Sequence, residues 1–331
     1  MALLLNEAEV KSILTMPMAL EAVELSFKRL ADGAAILHPR HRLQVPQKTY
    51  LHYMAAADSV SGYVGMKIYT SSKEGLRFLV LLYSADSGDL AAVLEADYLG
   101  QVRTGAASGL ATRWMARADA KTVGIVGTGL QARTQLEAIA QVRKIESVRA
   151  FSRSSDNREE FSRQMTARLG VRVTPASSAE EAVRGADIVV AATNSTSPVI
   201  EGRWLSAGMH INAIGANFPQ KRELDSDAVL RADLIVADSV EQSRQEAGDL
   251  ILSFGQDEDR WKRVRELAEV AAGKVAGRTS PSEITIFKSN GIATEDIAVA
   301  GKIFETAQQR GMGRQIQMWE DSNRAAEARG I

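Results

Sequence analysis

The run Gly127-Thr128-Gly129-Leu130-Gln131-Ala132 directly follows Val123-Gly124-Ile125-Val126, which is apolar and β-prone. It reads G-x-G-x-x-A. Gly127 permits a tight turn, Gly129 lets a pyrophosphate approach backbone N–H groups, and Ala132 allows close helix–strand packing. Glycines punctuate many turns, but here the pattern closes a strand and opens a helix, the context that phosphate binding requires. Gly127, Thr128, Gly129, Leu130 and Gln131 are therefore expected to hold a nicotinamide dinucleotide. The end of the next strand, where NAD enzymes usually carry an acid for the ribose 2′-OH, instead reads Phe151-Ser152-Arg153-Ser154. An arginine among hydroxyls suits a 2′-phosphate, so Arg153 and Ser154 favour NADP over NAD. The alternative for Arg153 is a plain exposed arginine. Asp156 is expected to cap the following helix.

Cations set among apolar or small residues offer a grip for a carboxylate. Lys67 lies in Tyr63-Val64-Gly65-Met66-Lys67-Ile68-Tyr69, and Arg103 lies in Gln101-Val102-Arg103-Thr104-Gly105-Ala106-Ala107-Ser108. Arg40 and Arg42 bracket His41. A guanidinium binds a carboxylate through two parallel hydrogen bonds, and a desolvated lysine can move a proton. Taken singly, such a cation is more often a surface or snorkelling side chain than a ligand group, and periodicity alone does not select these. The four histidines, His38, His41, His52 and His210, have no i,i+4 pair and no acidic cluster nearby, so no metal site is expected. His52 alternates with Leu51 and Tyr53 on a strand that would face a cleft; a hydrogen-bonded strand histidine is the other reading.

The elements that must position these residues fall into two rhythms. A helix is predicted over Pro17–Gly33, then strands at Thr49–Ala55, Gly62–Thr70, Leu76–Ser84 and Leu90–Glu95, the last two joined by the turn Asp86-Ser87-Gly88-Asp89. Strands without intervening helices imply an antiparallel sheet. A helix over about Ala96–Arg117 carries Arg103. From Lys121 strand and helix alternate, with strands at Thr122–Val126, Ser147–Ser152, Arg172–Thr174, Asp187–Thr193, Met209–Ile214 and Leu234–Ala237. That is the pattern of a Rossmann-type doubly wound parallel sheet. A further strand, Glu283–Phe287, leads into a loop, and the helix Thr294–Arg310 follows. The fold class expected is α/β, with an α+β substrate and dimerisation domain at 1–117 joined by a C-terminal helix at 293–331. The dinucleotide-binding domain would span 118–292. The polar tail from Asp321 is expected to fray.

A chain of 331 residues is long for one core, which agrees with two domains. A net charge of −1 offers no general attraction for nucleic acid or anionic membrane. There are no cysteines, which excludes disulfides and thiol nucleophiles and suits a reducing compartment. The apolar start Met1–Leu5 lacks a basic lead and a cleavage site, and no stretch is long enough to span a bilayer. A cytoplasmic location is expected.

Four segments together resemble the ornithine cyclodeaminase/mu-crystallin family: Val64-Gly65-Met66-Lys67, Val102-Arg103-Thr104-Gly105-Ala106-Ala107, Ala213-Ile214-Gly215-Ala216-Asn217, and Thr285-Ile286-Phe287-Lys288-Ser289. The runs Arg222-Glu223-Leu224-Asp225 and Glu246-Ala247-Gly248-Asp249 are similar to family motifs as well. The resemblance covers nearly the whole chain in order. It implies a homodimer in which Arg42 and Arg103 bind a substrate carboxylate and Lys67 lies beside the nicotinamide. It further implies that Thr193 and Asn194 line the cofactor cleft and that Lys288, Ser289 and Gly291 approach the nicotinamide from a returning loop. Two departures matter. Cyclodeaminases and the related archaeal alanine dehydrogenases carry an aspartate where this chain has Asn217, and His52 falls near a cyclodeaminase glutamate. Asparagine cannot act as a carboxylate base. The ketimine reductases of the family lack that aspartate and resemble NADPH users. The expected activity is thus NAD(P)H-dependent reduction of an imine, or the reverse amino-acid dehydrogenation. The substrate would be a small amino acid or imine with a carboxylate. The alternatives are a redox-neutral ornithine or lysine cyclodeaminase and a non-catalytic small-ligand-binding protein.

Overall fold

The computed structural model describes residues 1–318. The expected tail beyond Asp321 lies outside them. Strands β1 (Ala2–Leu5), β2 (Ala35–Val45), β3 (Thr49–Asp58), β4 (Tyr63–Ser72), β5 (Gly75–Ser84) and β6 (Leu90–Glu95) form one sheet. Strands β7 (Thr122–Val126), β8 (Ser147–Phe151), β9 (Arg172–Pro175), β10 (Ile188–Ala191), β11 (His210–Ala213), β12 (Leu234–Ala237), β13 (Val264–Glu266) and β14 (Thr285–Lys288) form the other. A last strand, β15 (Arg314–Ile316), returns to the first sheet beside β1.

The first sheet runs β15-β1-β6-β5-β4-β3-β2, antiparallel from β2 to β6 as consecutive strands dictate. β1 adds in parallel to β6. The second runs β13-β12-β14-β11-β10-β7-β8-β9 and is parallel throughout. Its inner strands β10 and β11 are buried at every position, as a sheet covered on both faces demands. Three strands of the first sheet escaped the sequence reading: β1, β2 and β15, the last lying where the C-terminal helix was expected to run on, because that helix stops at Arg310 on Gly311 in the left-handed conformation. β1 is the apolar start, four residues long. β2 carries Pro39 amid polar residues; it lies at the sheet edge, and its register shifts between His38 and His41, where a missing N–H is tolerated.

Helix Asp97–Met115 joins the two sheets. Its small residues let it lie against helix Leu130–Val142: a Cβ at Gly105 would fall 2.5 Å from the Thr134 carbonyl oxygen. Arg103, two residues earlier on the same helix, lines the same cleft as Gln131 from the helix it packs against. The final helix, Ala293–Arg310, packs on helix Met16–Ala31 and on β2 to β5, so its Ile297, Ala300 and Ile303 share a core with Met54, Val80 and Leu82. Leu267, Val270 and Ala271 from the short helix before β14 join the same core. One local expectation is corrected. The helix after β8 starts at Ser155 and is capped by Ser154, whose hydroxyl accepts from Asn157 N at 3.3 Å. Asp156 sits in the first turn, where its charge suits the helix dipole without acting as the cap.

Candidate active site

At the end of β7 the chain turns on Gly127, whose φ of +101° belongs to the left-handed region that favours glycine. A Cβ there would also strike the Ala192 carbonyl, just past β10. Gly129 is the N-cap of helix Leu130–Val142, with no side chain satisfying the first-turn N–H groups. A Cβ on Gly129 would meet no atom within 4 Å, so open space stands above unpaired donors at a helix N-terminus. Open donors of this kind at a helix N-terminus suit a pyrophosphate. Thr128 lies between the two glycines, Leu130 is exposed, and Gln131 reaches the neighbouring cleft. Arg153 is exposed and has no hydrogen-bonding or ionic partner among the described residues. Beside it, Arg158 donates to the Ser152 carbonyl at 3.0 Å, a second guanidinium that the sequence reading did not single out. No acidic side chain occurs from Phe151 to Ser155.

The adjoining cleft has a volume of about 550 Å³. One wall is the inner face of the first sheet: Arg40 from β2, His52 and Met54 from β3, Lys67 and Tyr69 from β4, and Phe78 from β5. Opposite stand Thr193, Asn194, Gly215 and Asn217, after the carboxyl ends of β10 and β11, with Ser289, Asn290 and Gly291 after β14. Ligands in open α/β sheets bind at such strand ends.

Lys67 and Arg103 meet at the closed side of the cleft. The Lys67 ammonium donates to Asp296 Oδ1 at 2.7 Å, and Arg103 Nε donates to the same oxygen at 3.0 Å. Arg103 also reaches Glu295 at 2.7 Å. Lys67 is only 2% exposed and both acids are fully buried. Burial and the neighbouring Arg103 pull the Lys67 ammonium down to about 8, against the hold of Asp296. Burial pushes the Glu295 carboxyl up to about 8. With Glu295 protonated, two cations face one carboxylate, leaving a positive charge for an incoming anion.

The loop Ser289–Gly291 is pinned from both sides. Asp238 accepts from the N–H groups of Asn290 and Gly291, each at 2.6 Å. Burial raises its pKa, and those backbone donors oppose the rise. On the other side Arg40 donates to the Asn290 and Gly291 carbonyls at 2.8 and 2.9 Å, and also pairs with Glu246. Arg42 pairs with Glu246 too, donates to the Asn217 carbonyl at 2.9 Å and sits over the ring of Phe218, 4.4 Å from its centroid, so that it meets the cleft through Asn217 and Phe218. Lys288 departs from its expected place. It is fully buried, with its ammonium 3.0 Å from Asp249, and takes no part in the cleft surface. On the fully buried β14 an inward lysine needs a carboxylate, and Asp249 supplies it.

Glu223 was seen in sequence only as part of a motif. Its carboxylate accepts from the N–H groups of Thr193 and Gly215, at 2.5 and 2.6 Å, and so ties together the two strand ends that line the cleft. Burial and nearby Asp249 push it up to about 7. His52 stacks on Tyr69, with centroids 4.3 Å apart, and shares a hydrogen bond with Ser71. Burial, with Arg42 and Arg40 near, lowers it to about 4, so it is neutral at physiological pH. Its Nδ1 and the Oδ1 of Asn290, both on cleft-lining residues, are buried without a partner. The described residues contain no group of three or more His, Cys, Asp or Glu able to hold a metal, and no helix among them is long and apolar enough to cross a membrane.

A model of the ornithine cyclodeaminase/mu-crystallin family matches residues 1–311. A Delta(1)-pyrroline-2-carboxylate reductase of Bacillus cereus is 34% identical over 325 residues, 95% of this chain and 99% of that protein. The Thermococcus litoralis Delta(1)-pyrroline-2-carboxylate reductase, solved in complex with NADH and L-proline, is 34% identical with a TM-score of 0.90. The match covers 95% of this chain and all of that one. An archaeal alanine dehydrogenase, solved as a dimer with bound NAD, is 35% identical with a TM-score of 0.91, over 96% and 99% of the two chains.

The loop anchor makes a direct prediction. Asp238→Ala leaves several buried donors unpaired, at a cost of about 3 kcal/mol or more. The variant should unfold at lower urea concentration and bind nicotinamide more weakly; wild-type values for both would show that Asp238 does not hold the loop.

Proposed function

The chain belongs to the ornithine cyclodeaminase/mu-crystallin family, and from that premise we propose that its cleft is the active site of an NAD(P)H-dependent oxidoreductase acting on the C=N or CH–NH bond of a small amino acid or its imine. The observation that carries this reading is the buried Lys67–Arg103 pair. It offers a cationic carboxylate anchor and, in Lys67 near 8, a proton donor poised for neutral pH. The turn at Gly127–Gln131 would hold a nicotinamide dinucleotide, which when bound would supply the hydride for the imine carbon. Arg103 orients the substrate carboxylate, Lys67 gives its proton to the nitrogen, and the product is the amino acid with its new C–H and N–H bonds. The pinned loop Ser289–Gly291 and the strand-end residues Thr193 and Asn194 keep the reacting face in register. Arg42 supports this wall through Glu246. A redox-neutral cyclisation lacks support from the side chains at the two departures: Asn217 cannot take a proton, and His52 stays neutral.

We assign the preferred cofactor as NADP, on the free Arg153, the adjacent Arg158 and Ser154, and the lack of an acid after β8. We read residues 1–117 with 293–331 as the substrate and dimerisation domain and 118–292 as the dinucleotide domain, in a cytoplasmic protein. The partner is a second copy. Register places Tyr53, Ile68 and Leu79 in one row and Ala55, Met66 and Leu81 in another, on the sheet face opposite Lys67. An apolar sheet face of this extent is normally covered.

With pyrroline-2-carboxylate, other cyclic ketimines, or pyruvate plus ammonia or methylamine, the protein should oxidise NADPH or NADH. Lys67→Met should lower kcat by about 10²-fold or more. Oxidation of neither cofactor with any of these, alongside ammonia release from ornithine, contradicts the reading. Arg153→Asp should weaken NADPH binding far more than NADH binding; equal effects would refute the cofactor assignment. Light scattering should return twice the chain mass, and Ile68→Lys should halve it.

A further inference from the structure

The acids of helix Ala293–Arg310 are not spare ballast for buried cations, because they make different contacts. Glu295 reaches Arg103 alone, whereas a single oxygen of Asp296, Oδ1, accepts from both Lys67 and Arg103. Its second oxygen has no partner. We propose that Asp296 is the positioning residue of this cleft, holding the Lys67 ammonium charged and aimed while locking it to Arg103.

The forces on Lys67 are opposed. Burial favours the neutral amine, and so do Arg103, from helix Asp97–Met115, and Arg40, from β2. Asp296 is the acid that favours the ammonium, by charge and by hydrogen bond. Glu295, the neighbouring acid, is spent on Arg103 and is itself pushed toward its neutral form by burial. The other titratable groups facing the cleft are Asp97, His52, Tyr69 and Lys221. His52 is uncharged at working pH, and Asp238 is committed to the loop. Without the Asp296 carboxylate, Lys67 would lose its proton at lower pH. It would then give up both its charge toward a substrate carboxylate and the proton that imine reduction consumes. The position of Asp296 in the first turn of the helix lets the positive end of the helix dipole stabilise its carboxylate at no exposure.

This inference rests on the cleft being an imine-reduction site with Lys67 as its acid, so two measurements are needed. The first is kcat/KM for imine reduction against pH. Wild-type rates should fall as pH rises through about 8. In Asp296→Asn that falling limb should begin about one pH unit lower or more, so the variant-to-wild-type ratio should be about fivefold smaller, or more, at pH 8 than at pH 6. Asp296→Glu keeps the charge on a longer arm; its limb should stay where the wild type has it, while kcat drops through misplacement. Parallel profiles for wild type and Asp296→Asn, or a limb displaced in Asp296→Glu, would overturn the proposal. The second measurement uses no nicotinamide: calorimetric binding of pyrrole-2-carboxylate, a planar ring carboxylate. Affinity should weaken as pH rises through the Lys67 titration, and Asp296→Asn should move that weakening to lower pH. An identical pH dependence in both proteins contradicts the role given to Asp296. If the wild type reduces no imine yet the binding curves shift, the functional reading fails and the positioning role stands.

Discussion

Two buried cations sharing one buried carboxylate oxygen form the contact on which the cleft depends. Lys67 comes from an antiparallel strand, Arg103 from the helix that bridges the two sheets, and Asp296 from the last helix. These parts are far apart in the chain and meet because each cation would be too costly to bury alone. Removing one partner from such a cluster costs about 3–5 kcal/mol, far more than an exposed ion pair contributes. The cluster therefore welds the last helix to the first sheet at the point where substrate chemistry needs fixed geometry. It also leaves the cleft short of negative charge, which suits the carboxylate of the substrate proposed above.

The same logic repeats on the dinucleotide side with different parts. Asp238 holds the backbone N–H groups of the loop after β14, and Glu223 holds those at the ends of β10 and β11. Asp249 in turn receives the N–H groups of Glu223 and Leu224 and pairs with Lys288. Each of these carboxylates is buried and spent on backbone donors or cations. Their common effect is to make strand ends and loops, ordinarily the softest parts of an α/β fold, rigid enough to present a nicotinamide to a substrate.

Much of this was legible in the residues. The glycine turn, the change of strand rhythm near residue 121 and the antiparallel sheet follow from local periodicity and turn chemistry, which act over a few residues. Lys67, Arg103, Thr193, Asn194, Ser289 and Gly291 were also marked, and the fold brings them to one cleft. What stayed hidden is tertiary. Asp296, Asp238 and Glu223 look like ordinary acids, since nothing local tells which carboxylate will be buried against which cation. Lys288 sits in a motif that suggested cofactor contact, yet the strand carrying it turns its side chain toward Asp249. Arg42 is the arginine that the resemblance marks for the substrate carboxylate, yet Arg40, which it does not mark, is the one of the two that lines the cleft. β2 was obscured because Pro39 and its polar neighbours suit an edge strand, which lacks the apolar alternation of a half-buried one.

The central claim is that hydride and proton both arrive at one C=N bond in this cleft. The direct test is a single turnover with NADPH or NADH carrying deuterium at both C4 positions and pyrroline-2-carboxylate, with mass and NMR analysis of the product. The account predicts deuterium at Cα of the amino acid formed, one per cofactor oxidised, and none elsewhere. Product free of deuterium, or turnover that leaves the cofactor reduced while ammonia appears, would contradict it.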